Sequence, residues 1–391
     1  MFRSLLLLSF AVLVSNACLP IPPAPPTTTP TGMNTATFLP SETPSLTPYS
    51  TETTLPSFTP SPTLTETGTA TPISTSTSTS TSTVTPNPPT SPVPLTFPSL
   101  DDWDAGTLAF SHGAEGEWDY ILWGGFANSL IRKGNTYYLY YQGSSSYDDT
   151  CESVSQRSIG VATSTDGINW TKSAKNPVIT WSSQGSIEEG AVSSAAWLGA
   201  DGKIYVYYGA NTGSECTVNA NARLAVSEDG ETFQDAGEVL SAMDPNVWGS
   251  GDEIFPIGVF SHNNNWNLYY TPNGVPLSRQ LGVAIGSAPN TFAQSMGLND
   301  MGISIPAWGP VSIAVDGENS ILVTNPEGPS GLLNFYSFET DTPSLVKFQS
   351  SYVVPNCAQA SLLYTADTHH WMMSCRDQNA ENYFIRNAYT P

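Results

Sequence analysis

The sequence predicts an all-β fold, a five-bladed β-propeller preceded by a signal peptide and a disordered Thr/Ser/Pro-rich linker. Three observations predict the propeller. Short runs rich in Tyr, Val, Ile and Leu follow one another from Asp101 to the C-terminus with turn residues between them, and no long segment carries a helical period. A unit of about 40 to 60 residues recurs five times, the spacing expected of four-stranded blades. Charged residues make up only 12% of the chain and aromatic ones 11%, a balance that excludes a coiled coil, a helical bundle and a charged disordered chain.

Residues 1–18 read as an export signal. Arg3 supplies a positive start, Leu5 to Val14 form an apolar run, and Ser15-Asn16-Ala17 precede Cys18. The run falls short of the roughly 20 residues that span a bilayer. The small residues before Cys18 resemble a bacterial lipobox, in which the cysteine becomes a lipidated N-terminus, although Ser15 stands where that pattern favours Leu. The expectation is an extracellular protein, a cell-surface lipoprotein or a secreted one, touching a membrane only through a lipid anchor on Cys18.

Residues 19–100 are Thr, Ser and Pro with no hydrophobic period. Such a segment cannot bury enough apolar surface to offset its ordering entropy, and its frequent Pro biases it toward extended polyproline II. It reads as a disordered spacer, with Ser/Thr content suited to a glycosylated stalk.

Acids outnumber bases 34 to 12, a formal net charge of −22, and only Glu42, Glu52 and Glu66 fall in the linker. The negative charge therefore belongs almost entirely to residues 101–391. Such a surface repels phosphate backbones and excludes nucleic acid as a partner. Neutral or cationic ligands are expected, and a monomer.

The propeller repeats read in order. Ser129 to Gly143 (SLIRKGNTYYLYYQG) is followed by Ile159 to Ser173, and Ala195 to Ala210 (AAWLGADGKIYVYYGA) by Arg223 to Gly237. Gly258 to Gly274 pairs likewise with Leu281 to Ser295, Val311 to Asn325 with Leu332 to Phe338, and Ala360 to Cys375 with Tyr383 to Tyr389. Aromatic residues on both faces of YYLYY and IYVYY suit a strand sandwiched between neighbouring sheets. Asp166-Gly167 and Asp229-Gly230 are hairpin signals, so these two aspartates are assigned to turns. Asp101 to Phe110 is expected to complete the last blade and close the ring.

In an exported chain Cys151, Cys216, Cys357 and Cys375 are an even set that should be oxidised. Cys151 and Cys216 occupy equivalent loops of the first two units and are paired across blades; Cys357 and Cys375 then staple the last blade. The four histidines, His112, His262, His369 and His370, are not spaced with these thiols, so no metal cluster is expected. Carboxylates could suit calcium in the channel, yet no loop has a calcium-ligand spacing, and no cofactor is assigned.

The unit running from Ser129 through Trp170 resembles the five-bladed propellers of glycoside hydrolase families 43 and 32 and their relatives. The resemblance covers about Asp101 to Pro391 and is specific for fold more than for activity. It implies action on a neutral poly- or oligosaccharide, with a site at one end of the central channel built from carboxylates at the starts of the innermost strands. Glycosidic cleavage needs one acid to protonate the leaving oxygen and a second carboxylate as base or nucleophile.

Three acids are candidates. Asp119, in Trp118-Asp119-Tyr120, lies well before the first inner strand and equally suits a solvated turn. Glu189-Gly190 is similar to the segment that carries the general acid in family 43; of Glu188 and Glu189, which point apart along a strand, Glu189 is preferred. In Asp252-Glu253-Ile254-Phe255-Pro256, Glu253 is preferred because the buried run begins next to it. The resembling families place an Asp-Pro where this chain has Ala127 and Asn128, and a further Asp near Ile257 or Gly258. That departure motivates the rival reading, a non-catalytic glycan-binding surface propeller. Trp248, Trp308 and Trp123 are the candidate sugar-stacking platforms.

Overall fold

In the computed structural model the described residues are 95–145, 157–180, 190–211, 220–251, 253–272, 279–317, 319–328, 330–379 and 381–390, with the backbone alone described at 124–127 and 211. The expected signal peptide, nearly all of the linker, Cys18, Glu189 and the Cys151–Cys216 pair lie outside them.

The strands follow the repeats. β1 (Thr107–Ser111) comes first, then β2 (Ile121–Lys133), β3 (Thr136–Ser144), β4 (Ser158–Ser164) and β5 (Thr171–Lys172), which form blade one. Blade two is β6 (Ala191–Leu198), β7 (Ile204–Asn211), β8 (Ala220–Ser227) and β9 (Gln234–Leu240). Blade three is β10 (Ile254–His262), β11 (Asn265–Pro272), β12 (Gly282–Gly286) and β13 (Gln294–Gly297). A short hairpin of β14 (Asn299–Asp300) and β15 (Ile303–Ser304) leads to blade four: β16 (Ser312–Asp316), β17 (Asn319–Thr324), β18 (Leu332–Glu339) and β19 (Lys347–Val353). Blade five is β20 (Gln359–Thr365), β21 (His370–Arg376) and β22 (Asn382–Tyr389), with β1 as its outermost strand. The first strand thus completes the last sheet, as the sequence predicts.

The innermost strands close a ring: β2 packs on β6, β6 on β10, β10 on β16, β16 on β20, and β20 back on β2. Between the blades sit five hydrophobic clusters. Tyr140 of blade one meets Val206 and Tyr208 of blade two, while Tyr207 and Leu224 meet Leu268 and Tyr270 of blade three. Tyr141 faces the other way, toward Phe110 and Tyr383 of blade five. Alternate residues of YYLYY therefore serve opposite interfaces, each buried aromatic being worth roughly 1.5–3 kcal/mol of transfer free energy. Leu95 and Phe97, at the end of the expected linker, pack against the cluster between blades four and five.

A hydroxyl ties the inner strands together at three junctions. Ala196 N donates to Ser129 Oγ at 2.9 Å, Leu362 N to Ser312 Oγ at 2.8 Å, and Leu130 N to Ser361 Oγ at 3.3 Å. In each case the amide of the following blade donates to the serine of the preceding one, and the last of the three closes the ring. The same position holds Ala195 in blade two and Gly258 in blade three. A Cβ at Gly258 would stand 2.7 Å from the Val311 carbonyl oxygen, so blades three and four approach too closely there for a side chain. Cys357 and Cys375 form the expected disulfide of the last blade.

Candidate functional site

The channel itself is narrow. A cavity of about 60 Å³ on the axis is lined by residues of all five inner strands, among them Ser129, Trp197, Val259, Ser312 and Ser361. Sites that enclose small organic ligands occupy roughly 300–1,000 Å³. A small organic ligand therefore does not fit inside the channel, only at one of its mouths.

The mouth formed by the starts of the inner strands holds the polar groups. Glu253 immediately precedes β10 and is 6% exposed. Arg157 immediately precedes β4, and its guanidinium carbon lies 3.9 Å from the centre of the Trp123 ring on β2. Glu253 acts electrostatically on Arg157, so carboxylate, guanidinium and indole from blades one and three converge. Burial lowers the Arg157 pKa to about 10, with Glu253 opposing the shift. Arg157 is still a cation at neutral pH.

The rim continues into blades four and five. Asn325 Nδ2 donates to the Pro310 carbonyl at 2.6 Å and the Ala360 carbonyl at 3.0 Å, binding the two inner-strand starts together. Arg376 pairs with Gln359 in register and donates from Nη1 to the Leu122 carbonyl at 3.1 Å, joining blade five to blade one. Trp308 precedes β16, and the Arg279 guanidinium lies 3.2 Å from its ring centre.

The candidates named from sequence separate into those at the mouth and those elsewhere. Glu253, Trp123 and Trp308 are at inner-strand starts. Glu189 lies outside the described residues; Ala191, two positions on, donates its amide to the Arg157 carbonyl at 2.9 Å. Asp119 sits against the body of blade one, 3% exposed, with Lys172 Nζ 2.6 Å from its Oδ2. Its carboxylate is thereby committed to an ion pair, and burial together with Asp119 pushes the Tyr141 hydroxyl far above its ordinary range. Trp248 is a packing residue: its ring fills the space over the paired glycines Gly282 and Gly297, where added Cβ atoms would stand 2.7 and 2.5 Å from it. Asp166 and Asp229 cap their turns through the amides of Asn169 and Thr232, as expected.

Arg157, Arg376, Asn325 and the serine latches escape a search for acids. Their only trace in the sequence is position: Ser at the same place in three repeats, and an isolated Arg before a third strand. Among the described residues no group of three or more His, Cys, Asp or Glu could hold a metal ion. A larger cavity of about 360 Å³ lies on blade five, lined by Asn356, Asp377, Asn379, Phe384 and Arg386 among others. Its one carboxylate, Asp377, accepts from Glu381 N and Asn382 Nδ2.

No protein-family model matches the chain, and no curated protein matches it in sequence. Solved structures do. A family 117 glycoside hydrolase of the marine bacterium Zobellia galactanivorans superposes with a TM-score of 0.53 at 14% identity, over 73% of this chain and 90% of that one. A GH43 β-xylosidase/α-arabinofuranosidase from a compost microbial metagenome, solved with xylotriose, gives 0.50 at 11%, over 72% and 96%. A further glycoside hydrolase gives 0.53 at 11%, over 74% and 92%. At such identities the likeness establishes the fold, a five-bladed propeller of the kind these glycoside hydrolases share.

Proposed function

We propose that the protein is a glycoside hydrolase-like propeller that takes a poly- or oligosaccharide at the channel mouth and cleaves it by carboxylate acid/base chemistry. The observation that carries this reading is the buried Glu253 carboxylate at the start of an inner strand, acting electrostatically on Arg157, which itself lies over Trp123. Trp123 and Trp308 supply the flat apolar surfaces on which sugar rings stack. Glu189 is the second carboxylate, and the pair divides the roles of proton donor and of base or nucleophile. Export, a stalk carried on a lipidated Cys18, and action as a monomer complete the reading.

The rival, a non-catalytic glycan-binding propeller, is favoured by two observations: Lys172 engages Asp119, and Gly258 leaves no room for an acid. Measuring sugar release and glycan binding on Glu253→Gln and Glu189→Gln separates the two. General acid–base catalysis contributes roughly 10²–10⁴-fold, so each variant is expected to lose turnover on that scale while still binding. Unchanged turnover in both variants sinks the assignment, and binding without turnover in the unaltered protein establishes the rival.

A further inference from the structure

We infer that the mouth recognises a sugar bearing a negatively charged substituent, a carboxylate or a sulfate ester, and that Arg157 receives it. The inference rests on the carbohydrate reading above and narrows its substrate class.

The first argument is the pairing of cations. Arg132, Lys172, Lys175, Lys203 and Arg223 each make an ion pair with a carboxylate. Arg157 has no ion pair among the described residues, and what sets it apart is burial: it lies over Trp123, and its buried Nε has no hydrogen-bond partner. Leaving a buried donor unmatched costs roughly 1–3 kcal/mol, more for a charged group. The cation–π contact offsets part of that, on the order of 0.5–2 kcal/mol.

Geometry says what would satisfy the group. A guanidinium is a planar fork matched to two oxygens of one carboxylate or sulfate. Stacking on Trp123 leaves its edge, not its face, to present those donors. Glu253, at the start of β10, acts on Arg157 electrostatically. Arg279, exposed and lying on Trp308, repeats the arrangement on the same rim.

Net charge favours neutral ligands, but distance decides between the two effects. Exposed charges separated by more than about 8 Å are largely screened at physiological ionic strength, whereas a partly buried contact is not. The acidic surface therefore disfavours dense polyanions at long range without preventing one substituent from reaching Arg157.

The test uses the full chain with two matched probe pairs: polygalacturonate and its methyl-esterified form, and a sulfated galactan and its desulfated form. Affinity is measured by calorimetry at low and high salt. The acidic member of one pair is expected to bind at least ten-fold more tightly than its neutral partner, and which pair shows this identifies carboxylate or sulfate. The preference should shrink with salt, disappear in Arg157→Gln and survive in part in Arg157→Lys. Absence of any preference in the unaltered chain overturns the inference, and so does an Arg157→Gln protein of normal melting temperature that keeps it. Should Arg157→Gln not fold, the matched pairs on the unaltered chain still decide. Cleavage of neutral glycans with no acidic preference overturns this inference alone; acidic binding without cleavage supports it and overturns the hydrolase reading.

Discussion

The Lys172 ammonium lies 2.6 Å from Asp119 Oδ2, and the Tyr141 hydroxyl donates to the same oxygen at 3.2 Å. The carboxylate is buried while the Lys172 side chain keeps 28% exposure, so solvent screens the pair only from one side. Removing one partner of a buried pair costs roughly 3–5 kcal/mol, and this half-open pair belongs at the low end. Asp119→Asn is expected to lower the denaturant midpoint accordingly, and Lys172→Met to show strong coupling with it in a double-mutant cycle. Sugar turnover per folded molecule should hold. A stable Asp119→Asn protein without turnover would instead make Asp119 a catalytic group.

Ser129, Ser312 and Ser361 each accept an amide from the next inner strand, and replacing any one by Ala leaves that buried N–H without its acceptor. The expected loss is roughly 1–3 kcal/mol per site. Ser361, whose contact is the longest at 3.3 Å, should lose least. Equilibrium unfolding of the three single variants checks both the size and the order; no loss at Ser129 would show that the latch is incidental.

Much of this fold can be read from the chain because a blade is a local object. Tyr140 and Tyr141 sit in one strand, and their alternation alone assigns them to opposite interfaces. Asp166-Gly167 and Asp229-Gly230 mark turns for reasons contained within a few residues. The site is another matter. Strands β2, β6 and β10 each change register near their starts, between Trp123 and Asn128, Val192 and Ala195, and Pro256 and Gly258. Counting back from the strand therefore does not by itself fix which face an acid near these starts takes. Asp119 and Glu253 look alike in sequence, and only Lys172, 53 residues downstream of Asp119, tells them apart. The packing of Trp248 likewise depends on Gly282 and Gly297, which the strand pairing alone brings beneath it.

The buried tyrosines set the alkaline limit of the fold. Tyr270 and Tyr383 are both pushed up to about 12, chiefly by burial, from an unfolded value near 10. A raised pKa means the folded state favours the protonated phenol. Its contribution is complete below about pH 10 and is lost as pH rises through about 12, worth at most roughly 2–3 kcal/mol for each group. Stability should be insensitive to these groups below pH 10 and fall steeply above it. Phenolate absorbance from them should appear together with unfolding. Their ionisation with circular dichroism unchanged would show that water already reaches them.

Gly258 tests whether an acid can be returned to blade three. The resemblance noted in the sequence implies an Asp near this point, so Gly258→Asp is the direct way to restore one. The close approach of blade four argues against it. The new Cβ would meet the Val311 carbonyl oxygen at 2.7 Å and the Val311 Cβ at 2.8 Å, atoms held by the backbone just before β16 that cannot swing aside as the end of a flexible side chain would. Overpacking of this kind costs roughly 1–3 kcal/mol, and an unpaired carboxylate facing a carbonyl adds to it. Val311 N also donates to the Ile257 carbonyl at 2.7 Å, so relieving the clash would break a bond between the blades. Gly258→Asp should therefore melt earlier and release no more sugar than the unaltered protein, and Gly258→Ala should show most of the same loss. A Gly258→Asp protein that is equally stable and faster on glycan would mean that blades three and four yield at this point, and that the acid position had been vacated rather than closed.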